Sequence, residues 1–279
     1  MWPSAVTAYR ELLGVVLRSC RERAGMSPTQ MTRTLGWYSS VKIAKIEAGT
    51  VKLPENELED LLKLYEVADP EAAKLRYFGA KARNRPESGR MPTAVNTYRA
   101  FVSEAAEIKS YTEMVLPVLA QTEAYASALF ATSLSTPPSE IGRLARERVA
   151  CQLPLVSADP PSLHIVVGEP ALLRPIGGPA VRRAQLEHLH ELAGLSNVTF
   201  QVVPLDRGEH SGLGTPFTVL CLAIPEFTTV YTERLTGSAY SDAPEEVDAY
   251  QLAFRRISEV ALNARDSVRV LDRVLERVA

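Results

Sequence analysis

The stretch AGMSPTQMTRTLGWYSSVKIAKIEAG, residues 24–49, decides how the first part of this chain folds. Ala24-Gly25-Met26-Ser27 and Leu35-Gly36-Trp37 are turn signals on either side of a short helical run. Gly25 is placed to end one helix, and Ser27 before Pro28 to begin the next, serine as N-cap and proline at the first helical position. Upstream, Leu13, Val16, Leu17, Cys20 and Ala24 recur at helical spacing and predict a helix with one apolar stripe. Downstream, Ser39 or Ser40 caps a third helix. Its buried side is expected to be Val41, Ile43 and Ile46, with Ser40, Lys42 and Lys45 pointing outward. Leu58, Leu61, Leu62 and Tyr65 predict a fourth helix and Pro70 to Arg83 a fifth. Short helices in this order, with a glycine turn between the second and third, form the helix-turn-helix pattern.

The totals bound what surrounds this unit. A chain of 279 residues has room for this small domain and a second of about 180 residues. Hydrophobic content of 46% with 23% charged excludes wholesale disorder. A net charge of −2 argues against a general polyanion binder and leaves only a localised basic patch. Cys20, Cys151 and Cys221 are odd in number and widely spaced, so they are expected as buried small hydrophobes in a reducing cytosol. No run approaches the ~20 apolar residues of a bilayer span, and the start shows no secretory signal. A cytoplasmic protein with no membrane contact is expected.

Charge within the first seventy residues is balanced, nine Lys/Arg against nine Asp/Glu. Its distribution is uneven. The acids cluster from Glu55 to Glu66, whereas Arg18 to Lys52 holds seven bases and only Glu22 and Glu47. A basic face on a neutral domain is therefore open to the chain, and phosphate neutralisation supplies most of the affinity of such domains.

Leu17, Arg18, Arg21, Ala24 to Ser27, Leu35 to Trp37 and Lys42 to Gly49 together resemble the Xre (Cro/repressor-like) family of regulators. The resemblance implies that the helix from Ser39 to Glu47 enters the major groove of double-stranded operator DNA. Ser39, Ser40 and Lys42 would lie nearest base edges, with Arg33 and Lys45 near phosphates and Lys52 also among the DNA-binding residues. The chain departs from the family pattern at Pro28, which replaces a customary glutamine. It departs again in the turn Trp37 to Ser40, one residue longer than usual, and in Thr50 to Leu53, where an arginine run is common.

Lys81 to Arg90 is polar and rich in breakers, so the expected organisation is a five-helix domain over 1–83, a linker over 84–94 and an α+β domain over 95–279. In the last, Tyr98 to Ile108, Glu123 to Ala131, Glu140 to Leu153 and Pro179 to Ala193 read as helices. Leu163 to Val167, Val198 to Pro204, Phe217 to Leu222 and Thr228 to Leu235 read as strands, and two amphipathic helices close the chain. Strands grouped between helical runs indicate α+β, not a doubly wound sheet. Leu116-Pro117, Gln121 to Ala126, Glu169 to Leu172, Gly208 to His210, Gly214 to Phe217 and Val230 to Glu233 make this region similar to the C-terminal domain of actinobacterial Scr1-type, antitoxin-like regulators.

Glu169, His210, Tyr231 and Glu233 stand at strand ends or in glycine-rich loops, where ligand groups gather, and are the candidate ligand or catalytic residues. The competing reading makes them a helix-start carboxylate, a loop histidine and a core aromatic. His188 and His190 face different ways on a helix and are poor joint metal ligands; no metal or cofactor is expected. Two functions compete. The first is a sequence-specific transcriptional regulator, acting as a homodimer, whose C-terminal domain senses a small-molecule effector or, as the resemblance implies, a small acidic protein partner. The second is a regulator fold recruited as a small-molecule-binding protein or enzyme in natural-product biosynthesis, with decayed DNA binding; the departures at Pro28, the longer turn and the missing arginine run motivate it. The balance weighs against an enzyme.

Overall fold

The computed structural model describes residues 5–83, 94–134, 136–223, 226–235 and 237–278. The chain falls into two compact units, residues 1–104 with 222–227, and residues 105–221 with 228–279.

The first unit is helical: α1 (Ala5–Arg23), α2 (Pro28–Thr34), α3 (Ser40–Glu47), α4 (Glu55–Leu64), α5 (Asp69–Arg83) and α6 (Ala94–Glu104). The turn chemistry acts as the sequence anticipates. The Ser27 hydroxyl accepts the Gln30 N–H at 3.3 Å while the Gln30 side chain accepts the Ser27 N–H at 2.8 Å, a reciprocal cap on α2. Ser39 caps α3 by accepting the Val41 N–H at 3.1 Å. Leu12, Leu17, Met31, Ile43, Leu58, Leu75 and Phe78 are fully or almost fully buried and form the core that the helical spacing demands. Two glycines let α1 and the end of α3 come together. A Cβ on Gly14 would lie 2.5 Å from the Ile46 carbonyl oxygen and 2.6 Å from that of Glu47. Gly49, at φ +67°, turns the chain off α3 directly against the Glu11 backbone.

The helix expected over Tyr98 to Ile108 stops at Glu104, and residues from Ala105 onward form a strand. α6 packs on α1, where the Tyr9 hydroxyl donates to Glu104 at 3.4 Å and the Lys74 ammonium sits 2.5 Å from the same carboxylate. Residues 84–93, most of the expected linker, lie outside the described residues.

The second unit is α+β, as expected. Its strands are β1 (Ala105–Thr112), β2 (Ser162–Gly168), β3 (Val198–Val203), β4 (Phe217–Leu222), β5 (Phe227–Arg234) and β6 (Gly237–Ser241), in the sheet order β3-β2-β1-β4-β5-β6. Its helices are α7 (Glu123–Ala131), α8 (Ile141–Val149), α9 (Glu169–Leu173), α10 (Pro179–Ala193), α11 (Pro244–Val260) and α12 (Ala264–Glu276). β1, β2 and β3 are parallel and joined by helical crossovers. β4 runs back beside β1: Ser110 meets Thr218 at 2.9 Å, and just past β1 the Glu113 carboxylate accepts the N–H of Gly214, which precedes β4, at 3.0 Å. Neighbouring strands joined by only residues 223–226 pair antiparallel, so β5 again runs with β1, and β6 is antiparallel to β5. The sheet is therefore mixed. β1 and β6 went unpredicted, while the five-residue α9 begins at Glu169, as the reading of that residue as a helix-start carboxylate has it. Ala105, Ala106, Glu107 and Lys109 are strong helix formers or charged, and only Ile108 and residues 110–112 of β1 are buried, so neither strand alternation nor an apolar run announces it.

One face of the sheet carries Tyr111, Val166, Val219 and Val230 against Phe254 and Ile257 of α11. The Ser267 hydroxyl at the start of α12 accepts the Val202 N–H at 2.9 Å. Gln201 donates to the Leu262 carbonyl at 2.9 Å, so its side-chain oxygen is left to accept from His164 Nε2 at 2.6 Å. Burial holds His164 and His188 below the usual histidine range, with the Gln201 bond drawing His164 partly back.

Gly14→Ala is expected to force the α1–α3 contact open and cost about 1–3 kcal/mol, read as a lower midpoint in urea denaturation. Both depressed histidines stay neutral in the folded chain while the unfolded chain protonates near pH 6.5. Their contribution is thus fully present above pH 6.5 and is lost as pH falls through their folded values; a thermal melt of His164→Gln/His188→Gln should depend less on pH below 6.5 than that of the parent.

Candidate functional sites

α3 is held from behind by a charge pair that the sequence places 26 residues apart. Arg21 Nε and one terminal nitrogen meet the two Glu47 oxygens at 2.5 and 3.1 Å, and the other terminal nitrogen donates to the Met26 carbonyl at 2.8 Å. Both side chains are 10% exposed, and the Glu47 bonds raise the Arg21 pKa above its ordinary value. Glu47 thus faces the interior and adds no negative charge to the outer side of α3.

That outer side differs from expectation. Val41, expected in the core, is 56% exposed. With a helical step of about 100° per residue, Ile43 and Ile46 claim the buried direction and leave Val41, Ala44, Lys45 and Ala48 opposite them, all exposed. Lys42 is half-buried: its ammonium lies 2.7 Å from Glu57 Oε1 of α4 and 4.0 Å above the Trp37 ring. Ser39 is exposed with its hydroxyl engaged in the cap, and Ser40 is partly buried. Arg23 is paired with Glu71. Arg33, Lys45 and Lys52 are exposed and have no carboxylate partner among the described residues. An uncovered α3 flanked by three uncompensated cations is the arrangement needed to meet a polyanion.

In the second unit Glu169 follows β2, His210 lies in the loop after β3 and Glu233 is next to last in β5, so these three stand at the carboxyl edge of the sheet, while Tyr231 lies inside β5. Carboxyl ends of parallel strands are where open sheets bind ligands. The four candidates divide into two groups. Glu169, the first residue after β2, accepts the Leu205 N–H at 3.0 Å. Glu113, just past β1, accepts the Gly214 N–H. The two carboxylates pin both ends of the loop that leaves β3. Within it His210 Nδ1 accepts the Gly212 N–H at 3.2 Å, and its ring stands edge-on to Tyr111 at 5.8 Å. The Tyr111 hydroxyl is buried with no hydrogen-bond partner among the described residues, and burial raises its pKa.

The second group surrounds Arg148 of α8. Its guanidinium donates to Glu233 at 2.8 Å and to Gln121 at 3.3 Å and lies 4.6 Å above the Phe130 ring, while its Nε is buried without a partner among the described residues. The Tyr231 hydroxyl donates to the same Glu233 oxygen at 3.2 Å. So the structure joins Tyr231 to Glu233 and gives Glu169 and His210 other partners. Sequence reading missed Glu113, Tyr111 and Arg148. The first two lie on or just after the unrecognised β1, and Arg148 was one cation among several on an ordinary helix. An open hollow beside α12, lined by Leu262, Asp266, Arg269, Asp272 and Arg273, contains none of the candidates.

Among the described residues no three His, Cys, Asp or Glu side chains gather as a metal site, and no helix is long and apolar enough to cross a membrane. None of the three cysteines forms a disulfide, and burial pushes the Cys20 thiol up to about 11. A helix-turn-helix domain model matches residues 12–75, and the model of a domain of unknown function, DUF5753, matches residues 95–273. No curated protein and no solved structure matches the chain.

Arg21→Ala would strand the Glu47 carboxylate and is expected to cost about 3 kcal/mol in urea denaturation. The double change Arg21→Met/Glu47→Leu should recover most of that loss, because the uncompensated charge is then gone.

Proposed function

Because the chain belongs to the DUF5753 family and carries a helix-turn-helix domain ahead of that region, we propose that it is a sequence-specific transcriptional regulator whose C-terminal domain senses a small molecule or a partner protein. One observation carries this reading: α3 is clamped from behind by Arg21 and Glu47 and left exposed in front, with no carboxylate partner for Arg33, Lys45 or Lys52 among the described residues. The helix-turn-helix domain supports DNA as the partner. Arg33, Lys45 and Lys52 neutralise phosphates on either side of the groove, and Ser39 and Ser40 stand where the start of α3 meets the bases. Lys42 contributes little, since reaching a base means leaving Glu57 and Trp37.

The protein acts in the cytoplasm as a homodimer, because one small reading domain buries too little surface for operator affinity. The effector sits at the carboxyl edge of the sheet, either under the loop that Glu169 and Glu113 hold down, beside His210, or at Arg148, Glu233 and Tyr231. To regulate, it must bind the DNA-competent and incompetent forms with different affinity.

Fluorescence anisotropy on duplex DNA across a salt series tests the reading. Affinity should fall linearly in log–log form, and Arg33→Ala, Lys45→Ala and Lys52→Ala should each flatten the slope by about 0.9. Lys42→Ala should leave the slope nearly unchanged. A chain without duplex affinity at low salt would overturn the reading.

A further inference from the structure

The outward face of α3 is unusual in what it offers a base pair. Val41, Ala44 and Ala48 fall at i, i+3 and i+7, all exposed, and form an apolar stripe interrupted only by Lys45. The stripe runs about 10 Å along the helix, the length of roughly three base-pair steps. The polar side chains of α3 are largely spoken for: Ser39 caps the helix, Lys42 is bound to Glu57, and Glu47 is bound to Arg21. No arginine, asparagine or glutamine stands on this face, so the paired hydrogen bonds that read adenine have no donor set here, and Lys45 is the one donor α3 presents to a guanine. Solvent gains nothing from an apolar stripe on a surface helix, and a second copy or partner protein would bury it beside the unpaired Lys45. The exposed cations near it in the chain, Lys45 on the face itself, Arg33 on α2 and Lys52 just past α3, instead suit a phosphate backbone.

Resting on the DNA-binding reading above, we propose that α3 reads its operator through the 5-methyl groups of thymine, with Val41 and Ala44 as the specificity-determining contacts. In the major groove the thymine methyl is the one apolar feature a base pair presents. Valine and alanine side chains gain from covering it and lose nothing in hydrogen bonds. The operator half-site therefore carries thymines at adjacent or near-adjacent steps beneath α3, and discrimination comes from apolar burial, while Lys45 supplies position.

The test uses the full chain and a duplex selected from random-sequence DNA at low salt. Each thymine of the selected half-site is then replaced by uracil, which removes only the methyl group. Affinity should drop about three- to fivefold at each contacted position. Val41→Ala should abolish the response to uracil at one position and keep it at the others, with an unchanged thermal melt showing that the exposed substitution leaves the fold intact. Uracil at every thymine without loss of affinity, or a selected site lacking thymine, overturns the proposal while the regulator reading stands. So does a Val41→Ser variant that alters self-association in the ultracentrifuge and keeps its duplex affinity, since the stripe is then a protein contact. Absence of any selected duplex overturns the DNA reading itself, and this inference with it.

Discussion

The close approach of α1 to the end of α3 governs the first unit. It needs the missing side chain of Gly14, because the Ile46 and Glu47 carbonyls occupy the place a Cβ would take. It is then locked by Arg21, which reaches across to Glu47 and also to the Met26 carbonyl at the turn before α2. One guanidinium thus fixes α1, the entry to α2 and the end of α3 together. Bidentate geometry makes that pair directional, so it sets the rotation of α3 as well as its position. Once the rotation is fixed, the outward residues follow.

That rotation explains how a domain with no net charge presents a usable face. Charge cancels by pairing in particular places: Arg21 with Glu47 inside, Arg23 with Glu71, Lys42 with Glu57. Among the exposed cations without a carboxylate partner among the described residues, Arg33, Lys45 and Lys52 lie on α2, on α3 and just beyond it. A tally of bases and acids treats the paired and unpaired alike, and so conceals the patch. Exposed ion pairs contribute little to stability, but they decide which charges a passing polyanion meets.

The second unit applies a related economy at the carboxyl edge of its sheet. Carboxylates there do not wait for a cation: Glu113 and Glu169 accept backbone N–H groups and hold the loop after β3. Glu233 serves Arg148 and Tyr231 at once. The crossing loop and the buried Tyr111 hydroxyl beneath it lie at the edge that parallel strands commonly use for ligands. Residues that a sequence scan gathers as one constellation are two groups here, because β2 and β5 stand on opposite sides of β1 in the sheet.

What the sequence alone determined was local. Ser27 with Pro28 and Gln30, the glycine turns, and the leucines of α4 announced the helices and their caps, because capping and amphipathic spacing act within a few residues. The apolar runs of β2 to β5 were equally plain, and with them the α+β class. β1 was hidden because its first half reads as helix and its place at the centre of the sheet is conferred by partners distant in the chain. The fate of Val41 was hidden for the same reason: three apolar residues were available for the core side of α3, and only the clamp at Gly14 and Arg21 chose Ile43 and Ile46. Tertiary structure decided which charges cancel, which face of α3 is free, and which carboxylates hold a loop. Those outcomes depend on long-range contacts, whose geometry no short window of residues contains.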